Sequence, residues 1–242
     1  MKRRRSIVLT LLILLIAVSG LLGGVYLFAR RQPDFYREAS REDVVDPISA
    51  AEIFTRYGDV RNDILNAPEW AASFEADKVN AFLREHFAKG ASLEKSLDGK
   101  LTDPRVAIDG DKLILAATYQ AAPYPNWESD RTTTVVSVEL KLWVVPKQPC
   151  TVAVEVCAMK AGAIPIGSQR YLDRLGEAAR DNNIDVTWYR KDGHPVGLFR
   201  FYANQPRPTR FIRAVTVADG RFAISGKNIP EGTAPTEAAV ER

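Results

Sequence analysis

The sequence predicts an α+β fold: an N-terminal transmembrane helix, then helices packed on a curved antiparallel sheet of about six strands. Three observations carry that prediction. A near-continuous apolar run extends from Ile7 to Ala29. Between residues 48 and 87 apolar side chains recur at helical spacing. From residue 103 onward the spacing changes to two, broken by Asp-Gly and proline-rich turns.

The apolar run follows Met1-Lys-Arg-Arg-Arg5 and stops at Arg30-Arg31. As a helix its residues 7–29 would span about 34 Å, enough for a hydrocarbon core of roughly 30 Å. A cleaved signal peptide is the competing reading, because Ile7 to Val18 fits an apolar h-region and Ala17-Val18-Ser19 a small-residue cleavage site. The run continues past that site through Leu21, Leu22, Val25, Leu27 and Phe28, which favours an uncleaved anchor. Lys2, Arg3, Arg4 and Arg5 crowd one flank, whereas Arg30, Arg31, Arg37 and Arg41 are spread along the other. That bias predicts a single-pass protein with a cytoplasmic N-terminus and an extracytoplasmic bulk. The expected organisation is a tail and anchor over 1–31, a polar stalk over 32–47, an exported domain over 48–229 and a disordered tail over 230–242.

The basic character of the chain resides in the anchor. The whole sequence carries 33 Lys+Arg against 30 Asp+Glu, and six of those cations lie in residues 1–31, so 27 face 30 beyond the anchor. A near-neutral exported domain excludes nucleic acid as a partner, since phosphate binding needs a basic face. Two cysteines, Cys150 and Cys157, do not make a disulfide framework. On one strand they would stand roughly 23 Å apart, beyond disulfide reach. They read as small buried or half-buried residues, with no metal and no cofactor expected.

Ile53, Phe54, Tyr57, Val60, Ile64 and Leu65 share one helical face over residues 48–66. Residues 70–87 follow as a second amphipathic helix, on Val79, Phe82, Leu83, His86 and Phe87. Val106 and Ile108 then run into the Asp109-Gly110-Asp111 turn, with Leu113 to Tyr119 returning. Val136, Val138, Leu140, Leu142 and Val144 alternate cleanly, and Val152, Val154, Val156 and Ala158 continue after the turn at 146–149. Pairing Val145 with Thr151 would set Lys141 opposite Glu155, a favourable cross-strand pair. A helix over 168–180 follows, with Ser168 as its expected N-cap. Hairpins turning at Lys191-Asp192-Gly193-His194 and at Asp219-Gly220 complete the domain.

The block Trp70-Ala-Ala-Ser-Phe-Glu-Ala-Asp-Lys-Val-Asn-Ala-Phe-Leu83 resembles the strand-then-helix opening of YpmS-like bacterial single-anchor membrane proteins, whose activity is unknown. Ala161-Gly-Ala-Ile-Pro-Ile166, with the helix after it, is similar to the turn before the second helix in exported lipid-binding folds of the tubular kind. The resemblance implies a class of envelope protein rather than a chemistry.

No catalytic signature stands out. There is no G-x-S-x-G, no H-E-x-x-H, no Walker A loop and no G-x-G-x-x-G. Of the two histidines, His86 lies on an apolar helix face and His194 in a hairpin turn, so both read as structural. A glycosidase would need a carboxylate pair, and the candidates are Asp103, Asp109, Asp111, Glu69 and Glu75. Tyr119 to Trp127 (YQAAPYPNW) reads as an aromatic loop over a sheet edge or a ligand-contacting lip. Arg207, Arg210 and Arg213 read as solvated. The strand Leu113 to Tyr119 is apolar on both faces. One face needs a core; the other is covered by helices or lines a cavity for an apolar ligand.

The sequence therefore leads to a membrane-anchored, non-enzymatic envelope protein, attached through residues 7–29, whose domain binds a lipid or another apolar ligand. The residues expected at that ligand are Leu113, Leu115, Tyr119, Tyr124 and Trp127. A structural or assembly factor acting through an envelope protein partner is the alternative, and an enzyme acting on cell-wall glycans the third reading.

Overall fold

The computed structural model describes residues 23, 24, 26–41, 47–87, 99–121, 133–148, 150–201 and 210–229. The architecture is α+β. Among the described residues, helices with both ends defined are α1 (Asp34–Arg41), α2 (Pro47–Asn66), α3 (Ala76–Phe87) and α4 (Gln169–Asp181). The strands are β1 (Glu69–Glu75), β2 (Gly99–Asp109), β3 (Lys112–Ala121), β4 (Thr133–Val144) and β5 (Thr151–Ala161). They continue with β6 (Ile164–Pro165), β7 (Asp185–Lys191), β8 (His194–Arg200), β9 (Arg210–Ala218) and β10 (Arg221–Asn228).

These strands make two antiparallel sheets, which corrects the expectation of one sheet with about six strands. A seven-stranded sheet runs β2-β3-β4-β5-β8-β7, with β6 paired to β5, and a three-stranded sheet runs β1-β10-β9. The second sheet exists because residues 69–75 form a strand rather than the start of a helix. Trp70 and Ala72 are buried in alternation with exposed neighbours, a period of two. Trp70 stands opposite Gly226, where any Cβ would collide with its indole ring. The helical spacing is confined to Ala76–Phe87.

Local turn chemistry sets the hairpins. Asp192 and Gly193, and Asp219 and Gly220, all adopt positive φ, as two-residue hairpin loops demand. Lys141 stands opposite Glu155, but its ammonium reaches Asp111 at 2.7 Å instead. Ser168 precedes α4 without a side-chain capping bond; its backbone oxygen alone receives the first amides, those of Tyr171 and Leu172.

Alternation gives the large sheet two unlike faces. One carries Leu113, Leu115, Ala117 and Tyr119, continued by Val106 and Leu101 on β2 and by Val138 and Met159 on β4 and β5. The three-stranded sheet covers one end of this face, where Leu142, Val152 and Val154 meet Ile212, Phe222 and Ile224 around an apolar pocket of about 180 Å³. Helix α3 lies over the β2 side. Asn80, buried on α3, donates to Val106 O and accepts from Val106 N, both at 2.8 Å. It thereby stands in for the strand that edge strand β2 lacks.

The opposite face is closed near β2 and β3 by α1, inside the segment read as a stalk. Tyr36, 1% exposed, packs with Ala116 and Val135. Its hydroxyl lies 2.9 Å from Asp103 O, 3.0 Å from Asp103 Oδ2 and 2.8 Å from Thr118 Oγ1. Asp103, in the β2 bulge, is held in turn by buried Arg105 at 2.5 Å. Burial pushes the Tyr36 phenol up to about 12, and the Asp103 carboxylate adds to the rise.

Among the described residues no helix is long and apolar enough to cross a membrane; residues 7–22 and 25 of the expected anchor lie outside them. Residues 26–30 are helical and end against the large sheet. Ala163 N–H donates to Phe28 O at 2.9 Å, and the Thr134 hydroxyl donates to Ala29 O at 2.5 Å. The expected disordered tail, 230–242, also lies outside the described residues.

Candidate ligand groove

Where the small sheet stops, the apolar face of the large sheet is left as a groove of about 460 Å³. Its floor is a row running across four strands, Val106–Leu115–Val138–Met159, each residue opposite the next. A second row, Leu101 opposite Tyr119 and Ala117 opposite Val136, extends it toward the end of β3. Val79 and Leu83 of α3 form one wall; Arg170, Tyr171 and Arg174 of α4 form the other. Those three residues share one helix face through i, i+1 and i+4 spacing. Leu115 remains 37% exposed although it lies mid-strand, so the floor is open to a visitor.

One end of the groove lies near the N-terminal helical segment. Tyr119 stands opposite Thr134, the residue that binds the end of the N-terminal helical segment. Gly162 makes that approach feasible: it holds φ +61°, and a Cβ there would meet the carbonyls of Phe28 and Ala29.

Of the residues expected at a ligand, Leu115 and Tyr119 line the groove. Leu113 shares their face but stands opposite Leu140, toward the end that the small sheet covers. Tyr124 and Trp127 lie outside the described residues. Val79, Leu83, Met159, Arg170, Tyr171 and Arg174 were not anticipated. The i, i+4 arginine pair flanking Tyr171 was visible in the sequence, but nothing local says which strand row it would face.

The described residues lining the groove include no carboxylate, histidine or cysteine. They suit binding of an apolar chain beside a cationic rim, and offer no positioned acid, base or thiol. The carboxylates considered for glycan chemistry do not converge. Glu69 and Glu75 lie at opposite ends of β1, paired with Arg213 and with Lys78 and Arg221. Asp103 serves the Tyr36–Arg105 network, Asp109 ends β2 and Asp111 lies in the β2–β3 turn. The His86 side chain lies outside the described residues, and His194 Nδ1 lies 2.7 Å from Glu155 Oε1 on the other face of the sheet.

No protein-family model, curated protein or solved structure gives a significant match to the chain. The functional reading therefore rests on the groove and on the sequence.

Proposed function

We propose that the protein is a membrane-tethered, non-enzymatic envelope protein that holds a lipid, with an acyl chain in the groove between α3, the sheet and α4. The observation that carries this reading is the apolar row Val106–Leu115–Val138–Met159, which lines a groove among the described residues together with Arg170 and Arg174. The volume of about 460 Å³ falls within the roughly 300–1,000 Å³ of small-ligand sites. The apolar run from Ile7 to Ala29 leads directly into the helical turn docked beside the groove, so the nearest source of a ligand is the bilayer itself.

Energetics then assign different work to the two parts of the groove. Each methylene taken from water gains about 0.8 kcal/mol. A chain leaving a bilayer gains almost nothing, because it was already out of water. Occupancy in competition with a membrane therefore depends on the headgroup. The arginine rim favours an anionic one, since a charge-assisted hydrogen bond contributes about 1.5–3 kcal/mol.

Purified full-length protein, extracted with organic solvent and analysed by mass spectrometry, tests the reading. One acyl lipid per chain is expected, enriched in anionic headgroups over the bulk membrane extract. Lipid content indistinguishable from that of the empty detergent micelle overturns it.

A further inference from the structure

On the face of the large sheet opposite the groove, β5 and β8 bring together a carboxylate, a thiol and an imidazole. Lys141 pairs with Glu155, Leu140 with Val156 and Glu139 with Ala158, so Cys157 is the extra residue of a β-bulge. A bulge re-aims the side chain it carries, and here the Cys157 thiol comes to lie beside Glu155. The β7–β8 turn delivers the third group: Lys191 pairs with His194, and Glu155 pairs with Val196 two residues on. His194 Nδ1 is 2.7 Å from Glu155 Oε1. One oxygen, one sulfur and one nitrogen of the three side chains all lie within 4.8 Å of one another.

The charges around this trio leave Glu155 available. Lys141, directly opposite it, is drawn off to Asp111 at 2.7 Å. Lys160 and Lys112 both bind Glu139, at 2.7 and 3.4 Å. Glu155 is thus left facing His194 and Cys157, with its side chain 16% exposed and that of His194 46% exposed. The cluster is half sheltered, with one side open to water.

We propose that Glu155, Cys157 and His194 form a binding site for a borderline divalent transition metal, for which Zn²⁺ is the best match. The donor set decides the class of ion. A thiolate and an imidazole disfavour Ca²⁺ and Mg²⁺, which take oxygen ligands. Mixed sulfur, nitrogen and oxygen donors suit Zn²⁺, with three protein ligands and water in the fourth position. Binding is an exchange of a proton for the ion: the Cys157 S–H bond breaks, the sulfur donates its electron pair to the metal, and the proton passes to solvent. Nothing is oxidised or reduced. The bound ion would clip the β7–β8 hairpin to β5 across the exposed face.

Full-length protein in detergent micelles, titrated with Co²⁺ as a spectroscopic probe and then with Zn²⁺, tests the site. One equivalent of Co²⁺ is expected to give a cobalt–thiolate charge-transfer band, which one equivalent of Zn²⁺ abolishes. Cys157→Ser removes the band, and His194→Ala weakens Zn²⁺ binding by about tenfold or more. In the unaltered protein Zn²⁺ also slows alkylation of Cys157 by about tenfold or more, a readout that needs no variant to fold. The proposal is overturned if the wild type gives no thiolate band, if the band survives in Cys157→Ser, or if Zn²⁺ leaves the alkylation rate unchanged.

Discussion

Replacing Gly162 by Ala probes the joint between the N-terminal helical segment and the sheet. Gly162 follows β5 with φ +61°, and its N–H donates to Val135 O at 2.7 Å. An alanine there costs about 1–2 kcal/mol for the left-handed backbone alone. Its Cβ would also occupy the space of the Phe28 and Ala29 carbonyls, displacing the partners of Ala163 N–H and the Thr134 hydroxyl. Two lost hydrogen bonds add about 1 kcal/mol each, for a total of about 3–4 kcal/mol. In a domain of this size each kcal/mol shifts Tm by roughly 2–4 °C, so thermal unfolding should begin well below that of the wild type. Limited trypsin digestion gives a second readout, with faster cleavage at Arg30 and Arg31 once the segment lifts away. Thr134→Val should reproduce part of the effect, because it removes one bond without backbone strain. A Gly162→Ala protein with unchanged Tm and unchanged cleavage at those arginines would refute the docked joint.

Two further perturbations test the helices packed on the two faces of the large sheet. The Tyr36 phenol titrates near 12 in the folded protein against an ordinary value of 10.0. The raised value means that its contribution is fully present below pH 10 and is lost as pH climbs through 12, with about 2 kcal/mol gone by pH 11.5. Urea unfolding at pH 9 and pH 11.5 should show that loss in the wild type and not in Tyr36→Phe; equal losses in both proteins would dismiss the assignment. Asn80→Ala would leave Val106 N–H and C=O unpartnered beneath α3, costing about 2–4 kcal/mol. Denaturant midpoints measure it, and a change below about 0.5 kcal/mol would show that α3 is held otherwise.

Features set by neighbouring residues were legible in the sequence. The Asp192-Gly193 and Asp219-Gly220 turns announce themselves through residues that tolerate positive φ, and the Lys141–Glu155 register follows from the length of the intervening turn. Leu115 and Tyr119 stood out because their strand is apolar on both faces. What depends on distant partners was not legible. Strand β1 forms because β10 lies beside it, with Gly226 making room for Trp70. Tyr36 is buried against Ala116 and Val135, with its hydroxyl satisfied by Asp103 of the β2 bulge. Arg170 and Arg174 line the groove only through the position of α4 over Met159 and its neighbours. The bulge at Cys157 interrupts the period of two, so reading Cys157 and His194 as separate structural residues missed their meeting.

The central claim is that the half-buried apolar row around Leu115 carries a lipid. Native mass spectrometry of the full-length chain, released from detergent micelles in the spectrometer, tests it most directly when wild type is compared with Leu115→Gln. Leu115 is 37% exposed, so the substitution should leave the fold intact while setting a polar amide in the middle of the floor. The account predicts one retained acyl lipid on the wild type and about tenfold lower occupancy on the variant. A bare wild-type mass that takes up no added anionic lipid, or equal occupancy in both proteins, would contradict it.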